Sequence, residues 1–181
     1  MLFLVAVADA ETLDGLLARG EVTLLETKPD GRLKQVTAIG LVHAPVDRVW
    51  ARLTDFASYE AWMPQVDDST VVSHEGDTWV VDFSVGVVGP NINFRQQLVC
   101  DPATHTIRAT WVSGALEGSH WEWRLEPRGS ETVAWRTLYT NVVDTNWVVR
   151  QVETEAHTME YGINVATGVV ELRGLARSMT P

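Results

Sequence analysis

The stretch PVDRVWARLTDFASYEAWMP, residues 45–64, places Val, Trp, Leu, Phe, Tyr, Trp and Met close together and closes on a proline. Val46, Val49, Trp50 and Leu53 fall at i, i+3, i+4 and i+7, the spacing of one helical face. Pro45 suits a first turn, and Asp47 lies near the positive end of the dipole. Asp55 can cap a second helical turn whose Phe56, Tyr59 and Met63 share a face, and Pro64 has no amide hydrogen with which to continue it. The segment reads as a helix, a kink and another short helix. Aromatic residues at this spacing pack into a core, with Tyr59 or Trp62 as candidates for the rim of a ligand entrance.

On either side of this segment the chain alternates apolar and polar residues between turn signals, as half-buried strands do. KPDGR, residues 28–32, has the Pro-Asp-Gly order of a tight turn, so EVTLLET before it and LKQVTAIGLVH after it should pair as a hairpin. Later turns bound candidate strands at about 68–74, 77–85, 91–100, 104–113, 119–126 and 131–142. No strand–helix–strand alternation is present, so the expected sheet is antiparallel.

The chain closes with a helical pattern from about residue 146 to 178. Val149, Val152, Ala156, Met159, Ile163, Ala166 and Val170 recur at three- and four-residue steps, between the charges of Arg150, Glu153, Glu155, Glu160, Glu171 and Arg173. Such a helix is roughly 45 Å long, enough to cross a small sheet. Its apolar stripe should meet the sheet, so Ile163→Asp is expected to be severe and Glu160→Ala nearly silent. Gly162, Gly168 and Gly174 predict close backbone approach or a bend.

A chain of 181 residues with 45% hydrophobic and 21% charged residues can bury one substantial core. Its 14 basic and 24 acidic residues leave a formal charge of −10, and the basic residues are scattered singly, which argues against a nucleic-acid partner. Cys100 is the only cysteine, so no intramolecular disulfide or multi-cysteine metal site forms, and it reads as a small buried hydrophobe. The opening MLFLVAVADAET is apolar but lacks a basic start, so it is expected to dock on the domain, with a trimmed export signal as the alternative. No stretch reaches the ~18 apolar residues of a membrane span, so stable membrane insertion is not expected and the cytoplasm is the expected location.

The order of these elements resembles the START-like, helix-grip (SRPBCC) superfamily, in particular its polyketide cyclase/dehydrase and coenzyme-Q-binding branch. The resemblance rests on Ala44-Pro45, Val49-Trp50, Leu53, Asp55-Phe56, Tyr59 and Trp62-Met63-Pro64. GALEGSHWEWRLEP and GSETVAWRTLY support it later in the chain, and it spans roughly residues 35–175. It implies an α+β helix-grip fold: a curved antiparallel sheet wrapped around the long C-terminal helix, with the short helical pair after the first core strand. A cavity for an apolar ligand would lie between sheet and helix. Residues 1–32 then form an N-terminal extension, a short helix and an extra strand packed on the domain, and residues 33–181 the helix-grip domain itself.

Strand parity selects the residues that would face such a cavity. Trp79, Val81, Phe83 and Val85 share a face, as do Ile92, Phe94, Gln96, Leu98 and Cys100 on the next strand. Further sets are Ile107, Ala109 and Trp111, then Ser119, Trp121, Trp123 and Leu125, then Val133, Trp135, Thr137 and Tyr139. Five of the 8 tryptophans fall in these sets, which argues for an aromatic lining not wholly filled by the protein. The expected ligand-binding residues are Trp79, Phe83, Phe94, Gln96, Trp111, Trp121, Trp123, Trp135 and Tyr139, joined by Met159 and Ile163 of the helix.

The same parity puts Arg108, His120, Glu122, Arg124 and Arg136 on the opposite faces, leaving only Gln96, Ser119, Thr137 and Tyr139 as inward polar groups. His43, His74, His105, His120 and His157 show no metal-ligand spacing, and neither a metal nor a cofactor is expected. HWEW, residues 120–123, puts His120 and Glu122 on one face but names no third ligand. The expected function is therefore binding or transport of a hydrophobic small molecule: a lipid, an isoprenoid or quinone, or a polyketide-like compound. The rivals are a cyclase or dehydratase in which Tyr139, Arg95 or Glu122 handles protons, and a protein-interaction domain with a filled cavity. Nothing in the sequence specifies an oligomeric state.

Overall fold

The hairpin expected around Lys28–Arg32 forms the start of an eight-stranded antiparallel sheet in a computed structural model, which describes residues 12–86, 91–141 and 158–180. After a short helix α1 (Leu13–Leu17) come β1 (Val22–Thr27) and β2 (Leu33–Val42), then α2 (Val46–Thr54) and a 3-10 helix (Phe56–Ala61). The remaining strands are β3 (Val66–Glu75), β4 (Thr78–Val85), β5 (Ile92–Asp101), β6 (Thr106–Gly114), β7 (His120–Arg128) and β8 (Glu131–Tyr139). The long helix α3 (Thr158–Ser178) follows. Spatial order is β1-β2-β8-β7-β6-β5-β4-β3, so the curved sheet is open and β1 is an edge strand. This is the helix-grip architecture. The opening residues 1–11, and Val149, Val152, Ala156 and His157, lie outside the described residues.

That strand order explains residues 45–64. β2 and β3 are consecutive in sequence yet lie six strands apart, so the segment between them must cross beneath the concave face, and its apolar side closes one end of the sheet. Val49, Leu53, Phe56, Tyr59 and Met63 are all buried there. The Tyr59 hydroxyl donates to the Leu53 carbonyl at 2.6 Å, stapling the two helical turns together. Thr132 of β8 donates to the Ala44 carbonyl at 2.8 Å and anchors the entry.

Helix α3 lies over β2 and β8 on the same concave side. Gly168 lets it approach: a Cβ there would stand 3.0 Å from Leu138 Cδ2 and 3.5 Å from the Ala38 methyl. Gly174 meets the helical plug, where a Cβ would sit 2.4 Å from Pro64 Cδ. Gly162, by contrast, faces open space.

The face of α3 that meets the sheet is not the predicted one. Glu160, Asn164, Gly168, Leu172, Leu175 and Met179 are the buried stripe, while Met159, Ile163 and Val170 are half-buried and Ala166 is exposed. A purely hydrophobic reading assigns Glu160 and Asn164 to water. In the fold both have partners: the Tyr139 hydroxyl donates to Glu160 at 2.7 Å, and Asn164 exchanges hydrogen bonds with the Thr140 N–H and carbonyl. Half-buried Ile163 is therefore not the severe site that the apolar stripe predicts, and Glu160→Ala, which removes a buried hydrogen-bonded carboxylate, is not silent.

Strand β8 also turns its other face inward. Gly129-Ser130 make a two-residue turn, with Arg128 opposite Glu131. Trp121 then pairs with Leu138, Trp123 with Arg136 and Leu125 with Ala134. Directly opposed residues point to the same side of a sheet, so Ala134, Arg136 and Leu138 face the concave interior. Trp135 and Thr137 belong to the convex face, whereas the hydroxyl of Tyr139, the last residue of the strand, meets Glu160 of α3. The period-two pattern misleads here because both faces of β8 are covered: Val133 and Ala134 are each fully buried.

Candidate functional site

The inward residues of β4, β5 and β7, read by alternation, converge where the plug meets α3. A cavity of about 50 Å3 lies there. Phe83 and Val85 of β4, Phe94 and Gln96 of β5, and Trp121 and Trp123 of β7 form its sheet wall. Tyr59, Met63 and Val66 close the plug side, and Arg136 and Glu171 close the side nearest the helix. That volume holds a few waters, whereas sites for drug-sized ligands run to about 300–1,000 Å3.

Five of the predicted ligand residues are thereby brought together: Phe83, Phe94, Gln96, Trp121 and Trp123. Six are not. Trp79 does face inward, but it packs edge-on against Phe56 and stacks on His74, beneath the plug and away from the cavity. Trp111 is half-buried, with its indole N–H donating to the Ala115 carbonyl at 3.0 Å. Trp135, on the convex face, lies under the Arg124 guanidinium at 4.4 Å. Tyr139 is committed to Glu160. Met159 and Ile163 are on α3 but do not line the cavity.

The residues that parity missed carry the charge. Arg136 is 4% exposed and Glu171 15%, and Arg136 Nε donates to Glu171 Oε2 at 2.5 Å. The guanidinium lies 4.4 Å from the Trp121 ring centre and 5.0 Å from that of Trp123, so two negative π-faces hold it in place. Trp121 in turn donates its indole N–H to Gln96 Oε1 at 2.8 Å, fixing the amide. Among the described residues, Arg136 Nη1 and Trp123 Nε1 are buried with no hydrogen-bond partner. Cross-strand register from the Gly129-Ser130 turn was the signal that places Arg136 inward once Trp123 is known to be.

Other candidates for chemistry point elsewhere. On the convex face Arg95 grips Asp82 through two bonds of 2.6 and 2.7 Å, and Arg108 Nε donates to Glu122 at 2.7 Å. Burial pushes the Tyr59 hydroxyl far above its ordinary range, and it is already donating to a backbone carbonyl. No group of three or more His, Cys, Asp or Glu among the described residues could hold a metal ion. No helix among them is long and apolar enough to cross a membrane.

Residues 42–166 match the family model described as polyketide cyclase / dehydrase and lipid transport. The chain belongs to this family. The match runs from the end of β2 into α3 and so takes in every strand that lines the cavity. Comparison with curated protein sequences finds no match. Among solved structures, the family fold is shared with the Zhui aromatase/cyclase from Streptomyces sp. R1128, at 19% identity and a TM-score of 0.66, over 81% of this chain and 93% of that one. It is shared also with a STAR-related lipid transfer protein from Xanthomonas axonopodis, at 15% identity and a TM-score of 0.66, over 88% and 93% of the two chains. A START superfamily protein from Mycobacterium smegmatis superposes with a TM-score of 0.54 at 18% identity, over 77% and 98%.

Proposed function

We propose that this family member binds a hydrophobic small molecule, a lipid, an isoprenoid or quinone, or a polyketide-like compound, between the concave sheet and α3. The observation that supports this reading is the aromatic wall of Phe83, Phe94, Trp121 and Trp123 around a cavity the protein leaves unfilled. A whole ligand needs more room than about 50 Å3, so binding displaces side chains, first of all Met63, whose unbranched thioether chain can adopt other rotamers at small cost. Similar structures named for an aromatase/cyclase and for lipid transfer agree with an apolar cargo.

A catalytic reading, cyclisation or dehydration of the same kind of molecule, has one observation in its favour: the Arg136–Glu171 pair shielded from water in the cavity wall. Native mass spectrometry of freshly purified protein, with titration of fatty acids, quinones and aromatic polyketides followed by tryptophan emission, separates these readings. A ligand carried and released unchanged, or a saturable emission change lost in Trp123→Phe, supports binding. Conversion of the added compound moves the assignment to catalysis, and no saturable response to any compound overturns the proposal.

A further inference from the structure

Two buried side-chain atoms of the lining residues have no hydrogen-bond partner among the described residues, and both are donors. Arg136 Nη1 and Trp123 Nε1 are buried and unpaired, and no hydrogen bond among the described residues uses the Gln96 amide nitrogen, while its Oε1 is taken by Trp121. A buried donor with no acceptor is costly, so these groups gain most from a ligand atom that only accepts. Charge narrows the choice further. Among the described residues, Arg136 and Glu171 are the only charged ones in the lining, and they already neutralise each other at 2.5 Å. A ligand carboxylate would bring a second negative charge beside Glu171 with nothing left to balance it. A carbonyl oxygen offers two lone pairs, carries no proton and adds no charge.

We infer that the inner end of the ligand is a neutral carbonyl, a ketone, quinone, ester or amide oxygen, held by Arg136 with Gln96 alongside, on an otherwise apolar body. Glu171 is then a specificity residue: its carboxylate selects against acids by occupying the charge of Arg136. This inference rests on the binding reading above.

Three ligands of matched length test it: undecyl methyl ketone, the laurate anion and tridecane, each measured near neutral pH by displacement of a fluorescent apolar probe. The parent should bind the ketone roughly tenfold or more tighter than tridecane, as expected of a bond to a charged donor, and tighter than laurate. Glu171→Gln frees the guanidinium charge and should invert the order of ketone and laurate. The double variant Arg136→Met/Glu171→Leu, which leaves no buried charge unpaired, should bind ketone and tridecane alike. If the parent holds tridecane as tightly as the ketone, prefers laurate, or keeps its preference unchanged in Glu171→Gln, the carbonyl assignment is wrong while binding stands. If none of the three binds, the binding reading itself falls and this inference with it.

Discussion

Arg136 on the last strand and Glu171 on the last helix meet at 2.5 Å inside the molecule, with the guanidinium 4.4 and 5.0 Å from two tryptophan ring centres. This contact joins the sheet to the helix that covers it, and it sits in the wall of the cavity.

Breaking that pair from one side leaves a buried charge without its counterion. Arg136→Met should lower unfolding free energy by about 3 kcal/mol or more, whereas Arg136→Met/Glu171→Leu should stay within ~1 kcal/mol of the parent. Urea midpoints of the single and double variants check this. Equal losses in both would mean that packing rather than charge is what the single variant removes.

Glycines of α3 should differ in sign. At Gly174 an added methyl would meet the Pro64 ring at 2.4 and 2.7 Å, atoms that cannot swing aside, and Gly174→Ala should cost about 1–3 kcal/mol. At Gly162 the methyl meets nothing, and Gly162→Ala should stabilise by up to ~1 kcal/mol through helix propensity. Thermal melts of the two variants should move in opposite directions.

Met63 is 4% exposed and closes the plug side of the cavity. Met63→Ala should cost about 2 kcal/mol in stability, the low end for such truncations because the void joins existing space. The same variant should bind apolar ligands several-fold more tightly, since the room no longer has to be opened. Weaker binding in Met63→Ala would place the ligand away from this wall.

Alkaline pH should act through Cys100. Burial, with a smaller contribution from Asp77, pushes its thiol from an ordinary value of 9.0 up to about 11. The unfolded chain therefore releases this proton first, so the group's stabilising contribution is complete below about pH 9 and is lost as pH rises through about 11. Urea midpoints of the parent and of Cys100→Ala should keep a constant gap below about pH 9, the parent should fall relative to the variant as pH rises from about 9 to about 11, and the gap should be constant again above that. A gap that does not change across this range would show that the thiol titrates alike in the two states.

The helical plug was legible in residues 45–64 alone, because helical spacing and a terminating proline act within a few residues of each other. Alternation likewise identified the inward faces of β4, β5 and β7, whose outer sides are wet enough to keep the two faces distinct. It failed on β8, where Val133 and Ala134 are both fully buried and composition cannot tell inside from outside. There the register across Gly129-Ser130 decided, and it reversed the places of Trp135 and Arg136. The buried face of α3 was hidden for a related reason. Glu160, Asn164 and Glu171 can leave water only because Tyr139, Thr140 and Arg136, between 21 and 35 residues earlier in the chain, supply hydrogen bonds and opposite charge. Whether a polar side chain is buried depends on its partner, and that partner is brought to it only by the tertiary fold.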